Sequence, residues 1–173
     1  MDKRLEAIFS RRSIRKFAPG KLDKKDINTL LEAAMAAPSA CCKDPWEFLV
    51  IENPDMLAKM TTELPNAPFL PSAAAAIIVC GDLDKAHEGL LSYMIQDCSA
   101  AIENMLLGVE MLGLGACWIG IHPRENRIAF LKELYKLPES VLPIGIIAIG
   151  KAEVKPESRT RFKAERVHFE TWS

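Results

Sequence analysis

Apolar residues recur at helical spacing over several stretches of this chain and crowd into short runs between them, a pattern that interleaves helices with strands. Ile27, Leu30, Leu31, Ala34 and Met35 predict a helix over about 24–36, with Asp23 as its N-cap and Pro38 as its stop. Asn53-Pro54 opens another helix, the proline standing where no donor is lost. The longest periodic stretch, about 89–112, carries Met94, Cys98, Ala101, Ile102, Met105, Leu106, Val109 and Leu112 on more than one face. Such a helix must be buried nearly all round, either at the domain centre or, as the preferred reading, at a subunit interface. Ile128, Leu131, Leu134 and Tyr135 predict a helix within 123–137, and Leu5, Ile8 and Phe9 give the apolar face of a short N-terminal one.

The strands stand between these. Trp46 to Ile51 alternates and then turns apolar, the second half of 73–80 ends in β-branched residues, and Gly113-Leu114-Gly115 closes the long helix before a short strand at 116–121. Residues 142–150 read as a strand buried on both faces. From Lys151 the periodicity stops, so 151–173 is expected to be an extended tail whose Val167, Phe169 and Trp172 pack on a partner subunit. Helices and strands interleave without the even alternation of a doubly wound sheet, which gives a single α+β domain over 1–173.

Composition narrows the classes. The 173 residues are 49% hydrophobic and 26% charged with a net charge of −1, which suits one soluble core and gives no reason to expect nucleic acid or a membrane as partner. No window approaches the roughly 18 apolar residues of a membrane span, and the N-terminus lacks a signal-peptide run, so a cytoplasmic location is expected. Five cysteines without CxxC spacing and three scattered histidines suggest neither a disulfide framework nor a metal site.

Against that even background, Ser10-Arg11-Arg12-Ser13-Ile14-Arg15 places three guanidinium groups and two hydroxyls within six residues, a donor set matched to a phosphate monoester. Gly113, Gly115 and Gly120 do not form a dinucleotide fingerprint, because they close a helix and enter a strand instead of the reverse. Gly120, inside an apolar strand, marks a place where a ligand or another backbone approaches. Cys41-Cys42, with no histidine nearby in sequence, reads as two loop thiols, and Asp44 and Glu47 form no acid/base pair. With no triad and no phosphate-cradling GxxxxGK[ST], any catalysis falls to a cofactor.

Arg11-Arg12-Ser13-Ile14-Arg15, Ala37-Pro38-Ser39-Ala40 followed by Pro45-Trp46, Gly113 to Gly120, and Arg161 before Glu165-Arg166-Val167-His168 together resemble the FMN-dependent nitroreductase family over the whole length. The resemblance implies an intertwined α+β homodimer with a central mixed or antiparallel sheet and one FMN per subunit at the interface. It assigns Arg11, Arg12, Ser13 and Arg15 to the FMN phosphate and ribityl chain, with Arg15 also near the pyrimidine edge, and Arg161 and Arg159 to the phosphate. Pro38, Ser39, Ala40 and Cys42 belong to the loop that reaches the other subunit's flavin. Ile119 and Gly120 match the backbone along the isoalloxazine, and Asn66 matches an asparagine facing the pyrimidine ring. The implied activity is ping-pong hydride transfer from NAD(P)H through flavin N5 to a nitroaromatic, quinone or similar small-molecule acceptor. The alternatives are a specialised ene-reductase, dehalogenase or flavin-degrading enzyme, or a non-catalytic flavin-binding redox sensor.

The departures are local. Where many members carry Asn-x-Gln-Pro-Trp, this chain has Cys42-Lys43-Asp44-Pro45-Trp46, which replaces two amides by a thiol and a carboxylate. The chain also lacks room after Cys80 and after Gly120 for the helices that cover the substrate in longer members, so an open, weakly selective pocket is expected.

Overall fold

The computed structural model describes residues 2–172. Its helices are α1 (Glu6–Ser10), α2 (Lys24–Met35), α3 (Pro54–Met60), α4 (Leu91–Met111) and α5 (Glu125–Tyr135). Its strands are β1 (Phe17–Ala18), β2 (Trp46–Ile51), β3 (Ala75–Asp82), β4 (Gly115–Gly120) and β5 (Val141–Ala152). All strand pairs are antiparallel: β3 lies between β2 and β5, and β5 takes β4 on its other side, because β3 and β4 both pair with its residues 145–149. Phe17 and Ala18 add to the far end of β5, opposite Ala152 and Lys151.

Side chains of consecutive strand residues point to opposite faces, and here both faces are covered. Ala76, Ile78, Cys80, Ile146, Ala148 and Ile119 join the core that contains Leu57 and Met60 of α3 and Leu131 of α5. Ile77, Val79, Ile147 and Ile149 join the core that contains α2 and α4. This is why β3 and β5 read as near-continuous apolar runs.

Helix α4 achieves its burial inside one chain, against the sheet and α2; Leu91, Tyr93 and Met111 near its ends stay exposed. It ends at Gly113, whose φ of 70° lets its own N–H reach Glu110 and the Leu114 N–H reach Val109. Asn53 caps α3 by accepting from the Asp55 and Met56 N–H groups. Asp23 holds the N-cap position of α2 but its carboxylate makes no cap bond, and its backbone carbonyl takes the Asp26 and Ile27 N–H groups instead.

Two expectations need correction, and one strand was not anticipated: β1 has only two residues, too few for periodicity to show. Lys151 and Ala152 belong to β5, so the tail begins after them. Leu5 and Ile8 are exposed, because α1 has only five residues and does not turn them into the core of its own chain.

Candidate active site

The segment Arg11–Arg15 leaves the end of α1 and runs beside β4. Ser13 bridges to Ala116, and the Ile14 N–H donates to the Ala116 carbonyl at 2.8 Å. Extended backbone alternates, so Ile14 is buried while Ser13 and Arg15 face outward. Gly115 permits this approach: a Cβ there would lie 3.0 Å from Cβ, Cγ1 and Cγ2 of Ile14.

Arg15 consequently lines one cleft of about 270 Å³ together with Asn66, Ile119 and Gly120, four residues scattered across the sequence. The space where a Gly120 side chain would stand is open, with no heavy atom within 4 Å of the Cβ position. Six further residues complete the walls, none assigned a role from sequence: Phe69, Cys117, Trp118, His122, Arg124 and Arg127. The Trp118 ring, 38% exposed, lies over the Cα of Gly145 on β5, where any side chain would displace it.

Arg127 is 8% exposed, and its Nη1 donates to the Gly120 carbonyl at 2.7 Å. It occupies the buried stripe of α5, four residues before Leu131. A charged residue on an apolar helical stripe was the sequence signal that could have revealed it. The lining residues include no Asp or Glu, and Arg15, Arg124 and Arg127 form no ion pair among the described residues.

A second basic group forms where the tail returns to α1. The Arg159 N–H donates to the Phe9 carbonyl at 3.3 Å. Arg12 and Arg161 push the Arg159 guanidinium below its ordinary value by charge repulsion. The Arg12 Nε is buried without a hydrogen-bond partner among the described residues. Arg11 lies 3.6 Å from Glu103 of α4 and, like Arg15, opposes the burial that pushes the Cys117 thiol up.

Pro38, Ser39, Ala40 and Cys42 do not line the cleft of their own chain. Their loop is tied to α4 by the Ala40 N–H, which donates to Oδ1 of the buried Asp97 at 2.9 Å. The Ser39 hydroxyl donates to Asp44 at 2.5 Å and accepts the Asp44 N–H at 3.0 Å. Cys41, Cys42 and Asp44 take positive φ, and the fold brings His87 Nε2 to 3.7 Å from the Cys41 sulfur, a contact that sequence distance concealed.

Residues 8–65 and 58–151 match the model of the nitroreductase family. A protein of Archaeoglobus fulgidus, carrying the provisional name NADH dehydrogenase/NAD(P)H nitroreductase, is 39% identical over 99% of this chain and 100% of its own. An FMN-dependent nitroreductase from Clostridium difficile superposes with a TM-score of 0.89 at 27% identity, covering 97% of this chain and 99% of its own. A provisionally named nitroreductase of Desulfovibrio desulfuricans, solved in complex with FMN, superposes with a TM-score of 0.86 at 29% identity, covering 100% and 99% respectively. On the family match, the relatives and the fold together, this chain belongs to the nitroreductase family.

Proposed function

We propose that the chain is an NAD(P)H-dependent FMN oxidoreductase of the nitroreductase type, passing two electrons and a proton from the nicotinamide donor to a nitroaromatic, quinone or similar acceptor. The observation that carries this reading is the convergence of Arg15, Asn66, Ile119 and Gly120 on one cleft. Relatives from Bacillus subtilis and Vibrio harveyi are named an FMN reductase and an NADPH-flavin oxidoreductase, in keeping with it.

The residues present fit FMN. A phosphate dianion would satisfy the orphaned Arg12 Nε and relieve the repulsion among Arg12, Arg159 and Arg161. Ser13 and Arg11 continue that donor set, Arg15 supplies positive charge at the pyrimidine edge, and the bare Gly120 backbone leaves room for a flat ring. FMN, when bound, supplies the atom that accepts and then returns the hydride. The chain's own part is to bind and orient: Asn66 offers an amide, Arg127 holds the Gly120 carbonyl, and Trp118 walls one side. Donor and acceptor use the cleft in turn, and its exposed Asn66, Arg124 and Gly120 leave it open to acceptors of varied shape.

The assembly belongs to the same proposal. Pro38, Ser39, Ala40 and Cys42, turned away from their own cleft, serve the flavin of a partner subunit in a homodimer. The tail, with Phe169 83% and Trp172 90% exposed, packs on that partner. Steady-state oxidation of NADH or NADPH by FMN-loaded protein, with menadione as acceptor, tests the activity. Acceptor-dependent turnover is expected; an FMN-loaded protein that turns over neither donor would overturn the reading.

A further inference from the structure

Arg124 stands on the cleft's rim with nothing to neutralise it. It is the residue before α5, it is exposed, and its guanidinium makes no ion pair or hydrogen bond among the described residues. Behind it, Arg127 is buried with one donor committed to the Gly120 carbonyl, and a guanidinium so placed is costly unless its charge finds compensation. Arg15 adds a third positive charge, and no lining residue is acidic. In a chain of net charge −1 this is a local concentration, and the walls of a cleft focus such a field on whatever enters.

The flavin does not account for all of it. On the reading above, Arg15 serves the pyrimidine edge and Arg127 holds the strand, which leaves Arg124 without a cofactor role. Resting on that reading, we propose that Arg124 is a specificity residue for reactants bearing an anionic group beside the redox ring, with His122 next to it on the rim. Two sources supply that chemistry: a carboxylate or sulfonate on the acceptor, and the pyrophosphate of the nicotinamide donor. Because both reactants use the cleft in turn, one guanidinium serves either.

The test uses FMN-loaded protein with Arg124→Gln and Arg124→Glu. In one arm, kcat/KM for para-nitrobenzoate is divided by that for para-nitrobenzamide, which has the same shape without the charge. In the other, NADH is compared with N-benzyl-dihydronicotinamide, which lacks the pyrophosphate, with menadione as the neutral acceptor. The charged-to-neutral ratio is expected to fall about tenfold in Arg124→Gln in at least one arm, the strength of one charge-assisted hydrogen bond, and further in Arg124→Glu. The arm that moves identifies the source of the anion. Ratios within about twofold of the unsubstituted protein in both arms would overturn the proposal, as would loss of FMN from Arg124→Gln, which would place Arg124 in the cofactor site. Turnover of the neutral donor with the neutral acceptor separates the two levels. Absence of turnover with NADH and NADPH as well, menadione being the acceptor, removes the oxidoreductase reading and this proposal with it, whereas turnover with unmoved ratios removes the anion assignment alone.

Discussion

At the scale of single residues, Arg12 is the most informative position. Its Nε is buried without an acceptor while Arg159 and Arg161 stand close enough for charge repulsion, an arrangement that weakens the chain alone and is relieved by a dianion. Saturating FMN at a hundred times its Kd adds about 2.7 kcal/mol to stability, or roughly 5–10 °C in Tm for a chain of this size. Arg12→Ala is expected to weaken FMN binding tenfold or more without lowering the Tm of the flavin-free protein; an unchanged Kd in a fluorescence titration would contradict this. The buried thiols make a separate prediction. Burial pushes Cys80 and Cys98 up to about 12 from an ordinary 9.0, so the folded state keeps protons that the unfolded chain releases in between. Their contribution is fully present below pH 9 and is lost as pH rises from 9 to 12, by at most about 4 kcal/mol for each thiol. Denaturant titrations across that range should show a shallower loss of stability in Cys98→Ala than in the unsubstituted protein, and equal slopes would refute the burial argument.

At the scale of elements, the site depends on the contact between Ile14 and Gly115. Any side chain at 115 presses on the β-branched Ile14 and drives the arginine segment off β4. Gly115→Val is therefore expected to cost about 1–3 kcal/mol and to weaken FMN binding as well, whereas loss of stability with intact FMN affinity would uncouple the two. Periodicity and apolar runs made α2, α4, β2, β4 and most of β5 legible, because these elements bury enough side chains to write their period into the sequence. The two residues of β1 could not be read, since their pairing with Ala152 and Lys151 is a tertiary event. Arg15, Asn66, Ile119 and Gly120 were reached through family resemblance, and the fold draws them together. Arg124 and Trp118 were not reached, because their importance lies in what α5 and β5 place beside them, and Arg127 was missed although its charge on the apolar stripe of α5 was legible.

At the scale of the whole molecule, the described chain leaves much apolar surface uncovered. Leu90, Leu91, Tyr93, Met111 and Leu112 flank the ends of α4, and Phe162, Phe169 and Trp172 project from the tail largely exposed. In the homodimer proposed above these faces pack against the second subunit. Light scattering should give twice the 19.2 kDa of one chain, and Phe162→Asp with Trp172→Asp should shift the mass toward a single chain; a monomeric unsubstituted protein would refute the assembly. In the function proposed above, the arginine segment, β4 and the returning tail together hold FMN. The most direct test of this is the visible spectrum of the purified protein after incubation with FMN and removal of the excess, followed by release and quantification of the bound flavin. A yellow protein with about one FMN per chain is expected, reduced to about half of that or less in Arg12→Ala under the same wash, given the weakening expected there. A colourless protein that FMN does not restore would contradict that function.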